Sequence, residues 1–434
     1  MYFSKFNVIS HIAHSSKYFL INPLYKQADI LDENEYTQFL DSICFDDSLK
    51  QKGYITTKEK ETSSYENAYK AFIKSRTESE TQIFFVPTYA CNFKCSYCYQ
   101  DEYEIEQSSC SSEIIDSFFT FINTNITGKK YITIFGGEPL LSGNSHRADI
   151  SHLLSRAKEH SIEIAIVTNG YNLENYIDIL WGEPIREIQV TLDGPAHIHN
   201  TGRTLKNGAS TFERRVTGIN IALENKIPIN LRVVLDKDNI HSLNELAQFA
   251  INSGWTDNPL FKTQLGRNYE LHHCQKNNNR LYDRIELYKE LYAEIIKHPE
   301  ISKFHKPAFS ISRFLFENGS MPEPLFDSCP ACKSEWAFDY TGNIYSCTAT
   351  VGKADEVIGT YYPQSSLNND VINQWKNRDV TTISDCQECE LSLMCGGGCG
   401  SLAKNKTGKI NSPDCRPIKE LLELGISLYY EKGV

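Results

Sequence analysis

Three cysteines fall within eight residues in CNFKCSYC, residues 91–98, and eight more crowd between Cys329 and Cys415. No other feature restricts the fold so tightly, because thiols at such spacings are tied together either by disulfides or by metal. Disulfide frameworks belong to small secreted domains. This chain has 434 residues and opens on MYFSKFNVISHIAHSSKYFL, which lacks the basic start, unbroken apolar run and cleavage site of a signal peptide. The expected setting is the cytoplasm, where thiols stay reduced and C-x-x-C pairs ligate metal. No run of about 18 apolar residues occurs, so no membrane partner is expected. The net charge of −11 also argues against nucleic acid, whose phosphates are bound by clustered Lys and Arg.

Between the two cysteine groups the pattern alternates. Apolar, β-branched runs at 83–88 (IFFVPT), 131 (YITIF), 162 (IEIAIVTN), 185 (IREIQVTL), 228 (IPINLRVVL) and 260 (LFKTQL) predict six strands. Helical patterns separate them, at 112–126, 146–159, 173–180, FERRVTGINIALENK and Ser242 to Asn252, and a last long helix is expected near 282–297. The expected class is α/β, with βα units around one parallel sheet, so that functional residues gather on the loops after strand C-termini. Residues 1–57 predict a small α+β module. The polar stretch 58–81 predicts a connector in which Tyr65, Tyr69 and Phe72 support at most a short helix. Residues 325–420 hold too few apolar runs for an ordinary core, and metal cross-links are the expected substitute.

C91-x3-C95-x2-C98 follows directly on the first strand. A 4Fe-4S cluster usually takes four cysteines, so three leave one iron to an outside ligand. A structural zinc site completed by a distant His or Cys also fits the spacing. The motif resembles that of the radical S-adenosylmethionine (radical SAM) enzymes, in which SAM chelates the fourth iron. That resemblance implies a partial (β/α)6 TIM-like barrel over 82–300 and a set of SAM contacts at successive strand ends. Gly136, Gly137 and Glu138 of FGGEP would hold the SAM amino group. Thr168 and Asn169 would meet the ribose, Thr191 and Arg203 the carboxylate, and Tyr97 the adenine. Read by themselves, FGGEP and Thr168-Asn169-Gly170 are ordinary turns, Arg203 a surface ion pair, and His197 and His199 loop residues with local hydrogen bonds.

The later cysteines read C332-x9-G342-x4-C347, C386-x2-C389-x5-C395-x3-C399 and C415. This resembles the SPASM extension of radical SAM enzymes, here residues 301–434, with Cys329 as a candidate eighth ligand. The resemblance assigns Cys329, Cys332, Cys347 and Cys399 to one auxiliary 4Fe-4S cluster and Cys386, Cys389, Cys395 and Cys415 to a second, three clusters in all. Two zinc knuckles are the plain alternative. Cys44, Cys110 and Cys274 are expected to be free thiols.

Enzymes of this kind modify peptides and proteins, and residues 1–57 resemble a shortened winged-helix module that binds leader peptides; a simple cap on the barrel fits as well. The resemblance therefore implies a maturase that installs a thioether, C–C or C–O cross-link in a ribosomally made precursor peptide, fed by an electron donor such as flavodoxin or ferredoxin. A sulfatase maturase or another SPASM dehydrogenase is the nearest alternative, although Thr348 stands where sulfatase-maturating relatives carry an aspartate. An Fe-S electron carrier or zinc-stabilised binding protein is the alternative outside enzymes. Asp193, Arg232, Gln264 and Arg267, near strand ends, are candidates to line a substrate channel, and no residue is assigned a catalytic role.

Overall fold

The computed structural model describes residues 1–41, 47–98, 110–268 and 279–433. Cys44 and Cys274 lie outside the described residues. The predicted strands are present as Thr81–Val86 (β1), Lys130–Ile134 (β2), Glu163–Thr168 (β3), Ile185–Thr191 (β4), Ile229–Leu235 (β5) and Phe261–Arg267 (β6). They pair in parallel, each with its neighbour in sequence, in the order β6-β5-β4-β3-β2-β1.

The alternation along each strand sorts residues between two faces. Ile83, Phe85, Ile132, Ile134, Ile164, Ile166, Ile188, Val190, Leu231 and Val233 face the helices and are all but fully buried. Against them pack Ser112–Asn125, Asn144–Glu159, Phe212–Glu224 and Leu243–Asn252. Burying each such side chain contributes about 1.5–3 kcal/mol. The opposite face mixes apolar Phe84, Val86 and Val167 with polar side chains. Gln82 Nε2 donates to Thr133 Oγ1 at 2.9 Å, Asn230 Nδ2 to Glu187 Oε1 at 3.0 Å, and Gln189 Nε2 to Gln264 Oε1 at 2.7 Å. The last bond joins β4 to β6 across β5, so the sheet is concave on this side, as a partial barrel must be.

The sheet does not end at β1. Glu335–Asp339 (β7) adds in parallel beside β1, and Asn343–Tyr345 (β8), Val357–Thr360 (β9) and Ser366–Leu367 (β10) follow antiparallel. The start of the Cys-rich region is therefore continuous with the barrel sheet, which sequence periodicity did not indicate.

Residues 1–57 carry an antiparallel sheet of Val8–His11, Tyr18–Asn22 and Gln27–Leu31, with helices Glu33–Asp41 and Asp47–Gln51. Its Val8, Phe19 and Ile21 share a core with Met394, Ile418, Leu422 and Ile426. The stretch expected as a connector is instead one helix of 21 residues, Lys58–Glu78, capped by Thr57, whose hydroxyl accepts from Lys60 N. It docks through Ala68 and through Tyr65, Tyr69 and Phe72, which surround the fully buried Phe326 with ring centroids 5.1, 5.2 and 5.6 Å away. Arg76 then pairs with Asp327 at 3.1 Å. Tertiary partners supply what a polar sequence could not.

Candidate active site

The loop after β1 carries Cys91, Cys95 and Cys98. Two features of its neighbours fix it. Phe93–Cys95 pairs antiparallel with Arg203–Leu205, placing Arg203 directly opposite Cys95. The end of β2 supports the loop from beneath, where Gly137 N donates to Thr88 O and Glu138 N to Ala90 O. A Cβ on Gly137 would stand 2.2 Å from Ala90 O, and one on Gly136, at φ 138°, would stand 2.6 Å from Thr88 O. Both glycines are therefore required by close backbone approach.

Glu138 is 1% exposed. Its carboxylate accepts from Thr168 Oγ1 at 2.6 Å, Asn169 N at 2.6 Å and Leu140 N at 2.8 Å, yet burial still pushes its pKa up. Asn169 Nδ2 donates to Asn92 Oδ1 at 2.8 Å, joining the third strand's end to the cysteine loop. Asn92 was not singled out from sequence, although it lies inside the motif. Burial, with Glu138 next, pushes the Cys91 thiol up to about 12. Ligation by metal is what would bring such a thiol to thiolate at neutral pH.

At the end of β4 the backbone holds Thr191 buried, and two residues on, Asp193 accepts from Tyr97 Oη and from Val234 N at 2.9 Å. Arg203 donates to Tyr97 Oη, lies over its ring at 5.6 Å, and is 3.8 Å from Asp193. Tyr97, a candidate adenine contact, is thus also the link between Arg203 and Asp193. His199 is buried and accepts from Asp193 N through Nδ1, so it is a structural histidine making local hydrogen bonds. Burial, helped by Arg215 and Arg203, holds it neutral.

The donor set suits a zwitterionic ligand beside a metal cluster. Arg203 Nε is buried without a hydrogen-bond partner among the described residues. A buried guanidinium so placed awaits an acceptor, and the buried carboxylate of Glu138 awaits a cation. Three thiols, one carboxylate and one Arg fork on a single sheet end fit a cluster with SAM on its open iron.

The later cysteines separate into two sets. Cys347 is pushed well up by burial, then by Glu335 and by its neighbours Cys329 and Cys399, and burial followed by Cys329 raises Cys332. Cys386 is raised to about 11 by burial, then by Cys395, Cys389 and Cys415. Electrostatic influence therefore links Cys347 to Cys329 and Cys399, Cys332 to Cys329, and Cys386 to Cys389, Cys395 and Cys415. Among the described residues no three His, Cys, Asp or Glu side chains are arranged as ligands of one metal ion. Thiolates of a cubane each take a separate iron and so stand further apart than ligands of one ion.

Gly396, Gly397 and Gly398 all have φ between 62° and 73°, so this run turns the chain left-handed between Cys395 and Cys399. Fully buried Arg378 clamps the turn, donating to Gly397 O at 2.7 Å, Gly398 O at 3.0 Å, Ser412 O at 2.8 Å and Ile410 O at 2.8 Å. Sequence reading missed Arg378, which carries no motif. Thr348 donates from N and Oγ1 to Glu335 Oε1 at 2.7 and 2.9 Å, so a buried carboxylate backs that position. Cys110 is a buried free thiol.

Of the four channel candidates, Gln264 and Arg267 line a cavity of about 440 Å³ between β6 and the Cys-rich region, together with Tyr288, Arg284, Cys399 and Arg416. Asp193 is instead engaged by Tyr97, and Arg232 lies beside Gly266. A larger cavity of about 940 Å³, among Ile251, Ile295 and Lys303, contains no candidate residue. No described helix is long and apolar enough to cross a membrane.

Comparison with known proteins meets this geometry. Residues 85–250 match the radical SAM superfamily. The cysteine-type anaerobic sulfatase-maturating enzyme of Clostridium perfringens is 21% identical over 372 residues, covering 78% of this chain and 90% of that protein. The structure of anSMEcpe with bound AdoMet and the Cp18Cys peptide superimposes with a TM-score of 0.62 at 16% identity, over 82% of this chain and 98% of that one. SuiB of Streptococcus suis bound to precursor peptide SuiA gives a TM-score of 0.54 at 16% identity, over 96% of this chain and 99% of that one.

Proposed function

We propose that the chain, whose residues 85–250 match the radical SAM superfamily, is a radical SAM enzyme with a Cys-rich C-terminal region of SPASM type that matures a ribosomally made precursor peptide by installing a cross-link, thioether or C–C/C–O. Cys91, Cys95 and Cys98 hold the SAM-binding 4Fe-4S cluster, and the two later sets of four cysteines hold two more. The cluster and SAM supply one-electron cleavage of the sulfonium, giving a 5'-deoxyadenosyl radical that takes hydrogen from the substrate. The protein positions the parts. Glu138 takes the SAM ammonium, with Gly136 and Gly137 letting the backbone approach. Thr191 and Arg203 take its carboxylate, Thr168 and Asn169 border the ribose, and Tyr97 packs on adenine while bonded to Asp193. The cavity between β6 and Cys399 admits the peptide, and an external flavodoxin- or ferredoxin-like donor delivers the electron. Residues 1–57 bind the leader, with Val8–His11 and Gln27–Leu31 as the sheet edges available for strand addition.

The observation that carries this reading is the likeness to precursor-bound SuiB, which runs over 96% of the chain and so includes the N-terminal sheet. A second reading, maturation of a sulfatase, is supported by the Clostridium perfringens relative. Thr348 in place of an aspartate weighs against it, and Glu335 behind Thr348 is the nearest substitute carboxylate.

Anaerobically purified protein given SAM and a reductant should release 5'-deoxyadenosine. Replacing Cys91, Cys95 and Cys98 by Ala should remove one cluster's iron and all cleavage while leaving the C-terminal iron; cleavage that survives would refute the assignment. A precursor peptide encoded beside the protein should lose two hydrogens on cross-linking, whereas conversion of a sulfatase-derived cysteine to formylglycine would favour the second reading.

A further inference from the structure

Helix Phe212–Glu224 buries Phe212, Gly218, Ile219, Ala222 and Leu223, and on the same face, where the helical period calls for an apolar residue, stands Arg215. Arg215 is 0% exposed. Its guanidinium lies 4.5 Å from the ring centroid of Phe93, the residue between Cys91 and Cys95 in the cluster motif. Nη1 stands 3.4 Å from His199 Nδ1, which already accepts from Asp193 N. Nε and Nη2 are buried with no hydrogen-bond partner among the described residues.

A buried guanidinium without a partner is costly, by several kcal/mol in real proteins. Two buried acids, Asp193 and Glu138, act on Arg215 electrostatically, but neither makes a hydrogen bond to its Nε or Nη2. Asp193 is engaged by Tyr97, Val234 N and Arg203, and Glu138 by Thr168, Asn169 and Leu140. Arg203 is a second buried cation, so the two guanidiniums and the two carboxylates balance in formal charge. Burial and Arg203 push Arg215 down only to about 9, so it is charged at neutral pH, and Cys95 is the first group to act in the opposite sense. Arg215 is thus a buried cation packed against the cysteine loop, with two donor atoms unmatched among the described residues.

We propose that Arg215 is the built-in counter-charge of the cluster held by Cys91, Cys95 and Cys98, a positioning residue that favours the cluster's reduced, more negative state. The proposal rests on the cluster assignment made under the proposed function. One-electron reduction adds a negative charge at the cluster, and in a low-dielectric interior a nearby fixed cation stabilises that charge. Arg215 therefore raises the reduction potential, so that a donor of given strength loads a larger fraction of the enzyme.

The test is an anaerobic redox titration followed by electron paramagnetic resonance, on the full-length holoprotein and on Arg215→Gln and Arg215→Lys. Addition of SAM identifies the relevant signal as the one it perturbs. At equal iron content, Arg215→Gln should shift that midpoint to more negative potential while Arg215→Lys stays close to wild type. An unchanged midpoint in Arg215→Gln, or a Lys variant that behaves like the Gln variant, overturns the proposal. If Arg215→Gln binds no SAM-responsive cluster, retention in Arg215→Lys supports a charge requirement, and loss in both overturns it in favour of a purely steric role. A wild-type protein with no SAM-perturbed signal would refute the cluster assignment itself, and the proposal with it.

Discussion

At the scale of single residues, the site is a set of buried charges waiting for opposite ones. Glu138 shows the sign most clearly. Its carboxyl is raised by burial despite three hydrogen bonds, so a cation beside it would favour its ionised form. Replacing it as Glu138→Gln preserves the shape and removes the charge. A charge-assisted bond contributes about 1.5–3 kcal/mol, so SAM should bind roughly 10- to 150-fold more weakly, measurable by anaerobic calorimetry. Equal affinity would mean that Glu138 only braces the turn. Much of this site was legible beforehand, because the cysteine spacing and FGGEP are short-range patterns imposed by ligand number and backbone clearance. Arg215 and Asn92 were not. Arg215 breaks a helical apolar stripe, which is a sequence signal, but its meaning depends on Phe93 lying under it, and those residues are 122 positions apart.

At the scale of elements, the six barrel strands were legible and the helix Lys58–Glu78 was not. Strands buried on one face and packed by helices must be apolar at alternating positions, and that periodicity is local. The helix docks through three partly buried aromatic side chains and Ala68, so its sequence is mostly polar and its stability comes from the surface it docks on. Phe326 is the centre of that surface. Phe326→Ala should cost about 3–5 kcal/mol by the usual scale for buried aromatic truncations. The loss should appear as faster amide exchange along 58–78 and around Cys329, since Arg76 and Asp327 join the two, while β2 to β5 keep their protection. Uniform loss of protection across the chain would contradict this local coupling.

At the scale of the whole molecule, the Cys-rich region is sewn to everything else. Its first strand, β7, extends the barrel sheet, its Met394 and the helix Ile418–Ile426 pack on the N-terminal sheet, and Phe326 receives the long helix. Yet its own helices are short, Ser384–Gln387 and Ser392–Cys395 being four residues each. Metal is therefore expected to carry much of its order. Intact protein should contain about twelve irons per chain. Stripping them by oxidation and chelation should raise amide exchange at least about tenfold between Cys386 and Cys415 while leaving the barrel strands β2 to β5 protected; equal protection with and without iron would show that the region folds without metal. The sequence by itself determined the βα alternation and the ligand-rich loop after the first strand, because each is written in neighbouring residues by periodicity or spacing, while the two later cysteine sets were implied only by resemblance. Only the tertiary structure decided that Arg203 faces Cys95, that the Cys-rich region continues the barrel sheet, and that buried Arg215 packs on Phe93 of the cluster loop. Those depend on desolvation and on contacts between distant segments, which no local pattern encodes.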